Sequence, residues 1–557
     1  MKSWPQLGPS YGIVIGVCLA TVTAGGGVAW AALQGTSERQ GTSDTPVVVA
    51  RSSETLAPVS RQLTGSNIDQ WFDDAHGLWD SEANAPDPDV VERTRRAGVG
   101  IVRFPGGTPA NLYDWQQGIG PVEERGCQAD GRPNGGEGAQ DSRYGPDEFM
   151  RFAEAVGAEP DIMTPMVNQT PAQAADWVEY MNAPVGTNPR GGTAWADVRK
   201  ANGRPEPYRV ARWEIGNEPD RGGQNYWRST DPDTSLRQYS FGGQQQQEGQ
   251  RLADGCDRRA SASVSDGAAG QSYQLFFPPA APESQTVYVD GAAWSEVADL
   301  DQAGGNDTVY EFDPQRGEVR FGDGTHGAVP AAGAKLTADY LVAPKPGFVD
   351  FYAAMKQADP SIDVCSTWSP ITEDTSASVT FPELMAAAGR ADQYDCVVVH
   401  PYTNFFRDYQ DRDWETPREG HDEHILGERR AVGLVADLKA DLAEHSTADA
   451  YPAISEFGAL WFNQMGDISS YPSWQTSMSH ATYMASQWAH YAQLGVPWTM
   501  GNTLISDQEN PLRAVLGASP HFVYTADATV REQLKPVLDA GGSSVRTTVR
   551  DNPEVTP

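Results

Sequence analysis

Positive charge is scarce in this chain. Its 557 residues carry 41 Lys and Arg against 75 Asp and Glu, a formal net charge of -34. That balance argues against nucleic acid or an anionic membrane surface as a partner and suits a solvated acidic surface in an extracellular or salty medium. Cysteine is sparse as well. Of five, Cys18 lies in an N-terminal apolar stretch, and the other four, Cys127, Cys256, Cys365 and Cys396, have no spacing that suggests zinc. In an oxidising compartment Cys127 and Cys256, both in polar loop sequence, could pair. Cys365 and Cys396 begin apolar strands and are expected as buried thiols.

Helical periodicity is missing from two regions, and their positions divide the chain. Residues 1–33 hold Lys2, an uncharged run from Gly12 to Leu33 and the small-x-small pattern Ala29-Trp30-Ala31, an export signal or, if uncleaved, a membrane anchor. Ser, Thr, Gly and Gln then fill a linker over 34–58. Over 59–221 strand-like and helix-like segments alternate, with strands expected at Arg61–Asn67, Val99–Phe104, Asp161–Val167 and Arg212–Gly216. Over 222–345 the alternation stops, and short alternating runs between Gly, Pro, Asp and Asn turns predict a small all-β domain. It resumes over 346–510, with strands at Asp363–Thr367, Asp395–Tyr402, Ala453–Glu456 and Trp498–Leu504. Eight strands are the number that closes a parallel (β/α)8 TIM barrel, here α/β with the β domain inserted between the fourth and fifth strands. Residues 511–557 are short of apolar periodicity and are expected as a C-terminal extension, a truncated β module with strands near Val523-Tyr524 and Val545–Val549.

The stretch that organises the rest is Arg212-Trp213-Glu214-Ile215-Gly216-Asn217-Glu218-Pro219-Asp220. It reads as a buried strand delivering Asn217 and Glu218 at its C-terminal end, where parallel barrels keep their chemistry. A carboxylic acid there can be a general acid, and the amide beside it can hold a sugar hydroxyl. Cleaving a glycosidic bond with retention needs a second carboxylate about 5 to 5.5 Å away. Glu456, closing the apolar run Tyr451-Pro452-Ala453-Ile454-Ser455-Glu456, is the candidate.

With Glu218 ending the fourth strand and Glu456 the seventh, the chain resembles glycoside hydrolase clan A, whose members place the acid/base after an Asn on strand four and the nucleophile on strand seven. The run Ile101-Val102-Arg103-Phe104-Pro105-Gly106-Gly107, followed by Tyr113-Asp114-Trp115 and Gly118-Ile119-Gly120-Pro121, is similar to the second strand and loop of the family 51 α-L-arabinofuranosidases. Two glycines let backbone approach the site, and Arg103 can pin a carboxylate in its ionised state. His400-Pro401-Tyr402 resembles that family's strand-six His-x-Tyr, which implies that His400 contacts the sugar or the acid and that the Tyr402 hydroxyl meets the nucleophile. Asn502 falls where the family keeps a Gln lining the sugar pocket.

The resemblance implies catalytic Glu218 and Glu456, substrate-binding Asn217, Arg103, His400, Tyr402 and Asn502, and no metal or organic cofactor. The expected activity is release of α-L-arabinofuranosyl units from polysaccharide or oligosaccharide, by a protein that is secreted or anchored at the cell surface. Three features depart from the family: Thr108 where an Asn follows PGG, Asp69 as the nearest acid to the first strand in place of a Glu, and Pro219 after Asn-Glu. They leave open another retaining activity on a different furanoside or a β-pyranoside, and a non-catalytic wall-binding protein.

Overall fold

The computed structural model describes residues 47–68, 75–132, 135, 136, 138–221, 223–368, 377–402, 417–447, 449–458, 478–505, 515–517 and 519–550. The N-terminal 1–33 stretch, expected as a signal or anchor, and Asp69 lie outside them.

Eight parallel strands close into one barrel in chain order. They are β1 (Gly65–Asn67), β2 (Ile101–Phe104), β3 (Glu159–Thr164), β4 (Arg212–Ile215), β5 (Asp363–Ser366), β6 (Cys396–Val399), β7 (Tyr451–Phe457) and β8 (Thr499–Asn502). Nearly every strand residue is buried, because one face packs on helices and the other fills the lumen. The barrel fold expected from the strand count is therefore present. The first strand is shorter than expected: Arg61–Thr64 forms a 3-10 turn, with Ser60 Oγ accepting from the Gln62 N–H, before the chain extends at Gly65.

Helices α1 (Pro88–Ala97), α2 (Pro146–Val156), α3 (Pro171–Asn182), α4 (Trp195–Ala201) and α5 (Pro232–Phe241) belong to the first half. The second half carries α6 (Phe348–Ala358), α7 (Phe381–Ala387), α8 (Pro417–His445), α9 (Met478–Leu494) and α10 (Ala526–Asp539). Their boundaries follow local chemistry. Asp87 accepts from two N–H groups at the start of α1, and Gly98, at φ 75°, ends it in the left-handed conformation. Thr170 and Gln173 form a reciprocal capping box on α3. Between helices and strands lies an aromatic core, with Phe104 stacked on Phe149 at 4.9 Å and Trp177 edge-on to Trp213 at 5.7 Å. Such pairs add about 0.5–1.5 kcal/mol each beyond their burial.

A separate cluster of strand residues and Trp498 fills the lumen: Ile101, Cys365, Cys396, Val398, Ala453, Trp498 and Met500. Here one expectation fails. Cys365 and Cys396 are a disulfide and not thiols. They stand opposite each other in the β5–β6 register with Cα atoms 4.5 Å apart, so closing the barrel brings the sulfurs together.

Between β4 and β5, Gln246–Leu341 builds two four-stranded sheets. The all-β region begins later than residue 222, because α5 packs Leu236 and Tyr239 into the barrel core. The core of the two sheets includes Leu112 and Val167 from loops at the barrel mouth. A second disulfide, Cys127–Cys256, ties the loop after β2 to this region.

In the C-terminal stretch the strand expected at Val545–Val549 is present, within Gly542–Arg550, but the segment before it is helical and not part of a β module. It contains α10, whose Arg531 pairs with Asp527 and donates from Nη1 to the carbonyls of Thr64 and Gly65 at 2.7 and 3.0 Å, so this helix completes the ring after β8. Around Val523-Tyr524 only isolated bridges form. The linker expected over 34–58 is, from residue 47 on, part of a strand, Val47–Val59, paired with Gly542–Arg550 in a two-stranded sheet of its own. Arg546 pairs with Glu54 across it at 3.1 Å.

Candidate active site

Strand β4 ends because Gly216, at φ 76°, turns the chain, and Glu218 follows at φ 45°. A left-handed glutamate costs on the order of 1–3 kcal/mol and persists only where its surroundings fix it. Asn111, in the loop after β2, does so. Its Oδ1 accepts from the Asn217 N–H at 3.0 Å, and its Nδ2 donates to the Asn217 carbonyl at 3.2 Å and to Gln224 Oε1 at 3.0 Å. Gln224 in turn donates to Glu218 Oε2 at 3.0 Å.

Across the mouth, β7 delivers Glu456, which four side chains hold. Arg103 donates from Nη1 to Glu456 Oε1 at 2.8 Å, and its other arm, Nη2, reaches Glu214 Oε2 at 2.6 Å and Asn217 Oδ1 at 2.9 Å. Tyr402 donates its hydroxyl to Glu456 Oε2 at 2.7 Å. Asn502 donates to the Tyr402 oxygen at 2.8 Å and to Glu456 Oε2 at 3.4 Å, and Asn67, on β1, reaches Oε1 at 3.5 Å. All these groups are buried. The guanidinium of Arg103 keeps its charge: burial works to lower its pKa, but Glu214, Glu456 and Asp161 together raise it.

His400 links the two halves. Its Nδ1 lies 2.9 Å from Glu218 Oε1 and 3.8 Å from Glu456 Oε2, and its Nε2 is 2.9 Å from Ser455 Oγ. Glu218, His400 and Glu456 thus bring one polar atom each within 4.8 Å of one another. A cation could be bridged at that spacing, but Arg103 on Glu456 and Arg221 on Glu218, at 3.1 Å, already supply the positive charge. Burial pushes the Glu218 carboxyl upward, yet Arg221, His400 and Gln224 outweigh it and hold its pKa at about 2. Asp220 next to it moves the other way: burial, aided by the charge of Glu218, lifts it to about 7.

All seven residues singled out in the sequence, Glu218, Glu456, Asn217, Arg103, His400, Tyr402 and Asn502, stand in this one cluster. Sequence reasoning missed Asn67, Asn111, Glu214, Arg221 and Gln224. Glu214 carried a signal, an acid inside a fully buried strand; Arg221 and Gln224 sit in polar loop sequence and carried none. Among the described residues, Asn67 Oδ1, Asn217 Nδ2 and Asn502 Oδ1 are buried without a hydrogen-bond partner. An acceptor, a donor and a second acceptor around two carboxylates fit the alternating donors and acceptors of a polyhydroxylated ligand.

Residues 96–231, which include β2, β3, β4 and the turn bearing Asn217 and Glu218, match the family model "Alpha-L-arabinofuranosidase 1 domain". Over 139 residues the chain is 37% identical to the probable alpha-L-arabinofuranosidase C of Aspergillus flavus, 25% of this chain and 26% of that protein. Over 188 residues it is 32% identical to the intracellular exo-alpha-(1->5)-L-arabinofuranosidase of Bifidobacterium longum, 32% of this chain and 31% of that one. The chain thus spans about a quarter to a third of the length of these curated relatives. The fold is similar to the crystal structure of the GH51 arabinofuranosidase from Xanthomonas axonopodis pv. citri, with a TM-score of 0.57 and 18% identity over 90% of this chain and 78% of that one. The chain thus resembles α-L-arabinofuranosidases in sequence over residues 96–231 and a GH51 arabinofuranosidase in fold over most of its length.

Proposed function

We propose that this chain is a retaining glycoside hydrolase that releases α-L-arabinofuranosyl units from polysaccharide or oligosaccharide. The observation that carries the reading is the pairing of Glu218 and Glu456, whose oxygens approach within 4.8 Å across the mouth of the barrel. That spacing fits the roughly 5 to 5.5 Å of double displacement and is too short for a water to stand between sugar and base as inversion requires.

Glu456, held by Arg103 and Tyr402, attacks the anomeric carbon as the bond to the leaving oxygen breaks, and Glu218 gives that oxygen its proton. Glu218 then takes a proton from water, the water oxygen displaces Glu456 from the anomeric carbon, and the sugar leaves with its configuration retained. Asn217 Nδ2 donates to a ring hydroxyl, an interaction that strengthens as positive charge develops on the sugar. In the resting site Arg221, His400 and Gln224 favour the ionised form of Glu218, so the acid step requires that the Arg221 contact open and that Glu218 take up a proton from solvent. The Arg221 side chain is 31% exposed, so solvent reaches this side of the contact.

On the same reading the protein acts outside the cell: the apolar N-terminal run with its small-x-small pattern and the two disulfides suit an oxidising compartment. The test is turnover of a chromogenic α-L-arabinofuranoside. Glu456→Ala is expected to abolish it while sugar binding persists, and unchanged turnover overturns the nucleophile assignment.

A further inference from the structure

Beneath the two mouth glutamates the lumen holds a second pair of acids, Asp161 on β3 and Glu214 on β4, both with no exposed surface. Arg103 faces Asp161 in the β2–β3 register, and Met163, two residues on, faces Glu214 in the β3–β4 register. Arg103, Asp161 and Glu214 therefore share the lumen face of three neighbouring strands. Glu214 gives Oε2 to Arg103 Nη2 at 2.6 Å. Among the described residues no N–H or O–H reaches Glu214 Oε1 or either oxygen of Asp161, although the two carboxyls are in hydrogen-bonding contact.

Two ionised carboxylates side by side, with three oxygens that no side-chain or backbone donor among the described residues reaches, repel each other. One proton removes both faults. An O–H on Asp161 aimed at Glu214 Oε1 supplies the missing donor, and Glu214, already held by a guanidinium, is the partner better able to keep the charge. Burial first, and then the charge of Glu214, drive the Asp161 carboxyl well above the ordinary range, against the pull of Arg103 and Arg212.

We propose that Asp161 and Glu214 hold a single proton, carried on Asp161, and that this neutral acid fixes Glu214 as the ionised partner that aims Arg103 at Glu456. Asp161 is a positioning residue acting through Glu214 and Arg103. Its kinetic effect rests on Glu456 being the nucleophile; the location of the proton does not.

Infrared difference spectra of the full chain near neutral pH are expected to show the carbonyl band of a protonated carboxylic acid that Asp161→Asn removes. The same pair of spectra taken on the Glu456→Ala background needs no catalysis. The pH profile of kcat/KM gives a second arm, in which the acid limb is the one set by the nucleophile Glu456, faced by Glu218, Arg103, Asn67, Tyr402, Asn502 and His400. Replacing a neutral acid by a neutral amide that also donates leaves that limb in place, so Asp161→Asn should not move it. Glu214→Gln removes a negative charge beside Arg103, leaves the guanidinium undivided on Glu456 and should move the limb to lower pH by about one unit. A band that Asp161→Asn leaves intact, or a limb that Asp161→Asn lowers as far as Glu214→Gln does, overturns the proposal. Should Glu456→Ala keep turnover, the nucleophile reading fails, and the infrared arm alone decides where the proton sits.

Discussion

Arg221 Nε stands 3.1 Å from Glu218 Oε1, the same oxygen that His400 Nδ1 approaches at 2.9 Å. With Gln224 on Oε2, both oxygens of the glutamate read here as the acid are engaged before any substrate arrives. The contact has opposite effects on the two halves of double displacement. An ionised Glu218 suits the second half, in which it takes a proton from water, and opposes the first, in which it must give one. Arg221 is also the part of this arrangement that reaches solvent, whereas His400 and Gln224 are buried.

Removing that cation should therefore raise the pKa of Glu218. Arg221→Ala leaves the burial that pushes the carboxyl up and deletes the largest influence that pulls it down. A step needing the protonated form is lost as pH rises through that pKa, so the basic limb of kcat/KM should move to higher pH. The shift should appear with a substrate whose leaving group needs protonation and shrink with an activated aryl glycoside, where acid assistance matters little. A basic limb unmoved in both would show that Arg221 does not control Glu218.

The two glutamates can be told apart by rescue with azide. Glu218→Ala should accept azide on the covalent intermediate and yield a glycosyl azide of retained configuration. Glu456→Ala, lacking the nucleophile, should use azide from the opposite face and yield the inverted product. Each substitution alone should cost at least about 10²–10⁴-fold in turnover of an unactivated arabinoside. Product stereochemistry by NMR is the check, and the same azide anomer from both variants would contradict the assignment.

The barrel and its two acids were legible because each rests on a local pattern: alternating apolar periods, and an apolar run that ends in Asn217-Glu218 or in Glu456. What stayed hidden depends on register or on polar contacts. Cys365 and Cys396 read as thiols because pairing them requires knowing that β5 and β6 are neighbours in step. Helix α10 was missed because its few apolar contacts, Ala528, Val530 and Leu534, are spaced among polar residues, and its deepest anchor is polar, Arg531 on Asp527 and on the carbonyls of Thr64 and Gly65. Glu214 was read as one residue of an apolar strand, although an acid buried there demands a partner, which turned out to be Arg103. The edges of the all-β region were misplaced at α5, whose Leu236 and Tyr239 serve the barrel.

Tyr402 offers a finer measure of how Glu456 is held. Tyr402→Phe keeps the ring and removes one hydroxyl, taking a 2.7 Å bond from Glu456 and a 2.8 Å acceptor from Asn502. Leaving a buried charged acceptor short of a donor costs about 1.5–3 kcal/mol, on the order of ten- to a hundred-fold in kcat/KM. Phe at this position with unchanged kcat/KM would mean that Arg103 and the two asparagines suffice.

The lumen disulfide makes the last prediction, and its site separates stability from catalysis. Cys365 and Cys396 close a stretch of 31 positions, and in the chain-entropy account such a link contributes about 2–4 kcal/mol by restricting the unfolded state. Glu214 stands opposite Cys365 in the β4–β5 register, so the bond also braces the floor beneath Arg103. The double variant Cys365→Ala, Cys396→Ala should lower Tm in a thermal melt while the pH limbs stay in place, because neither sulfur carries charge at the mouth. Alkylation of the denatured, unreduced wild type should leave both cysteines unlabelled in a peptide mass map. Labelling of either would return them to the free thiols that their sequence context suggests, and the loss of Tm would then have to come from the cavity left by two sulfurs.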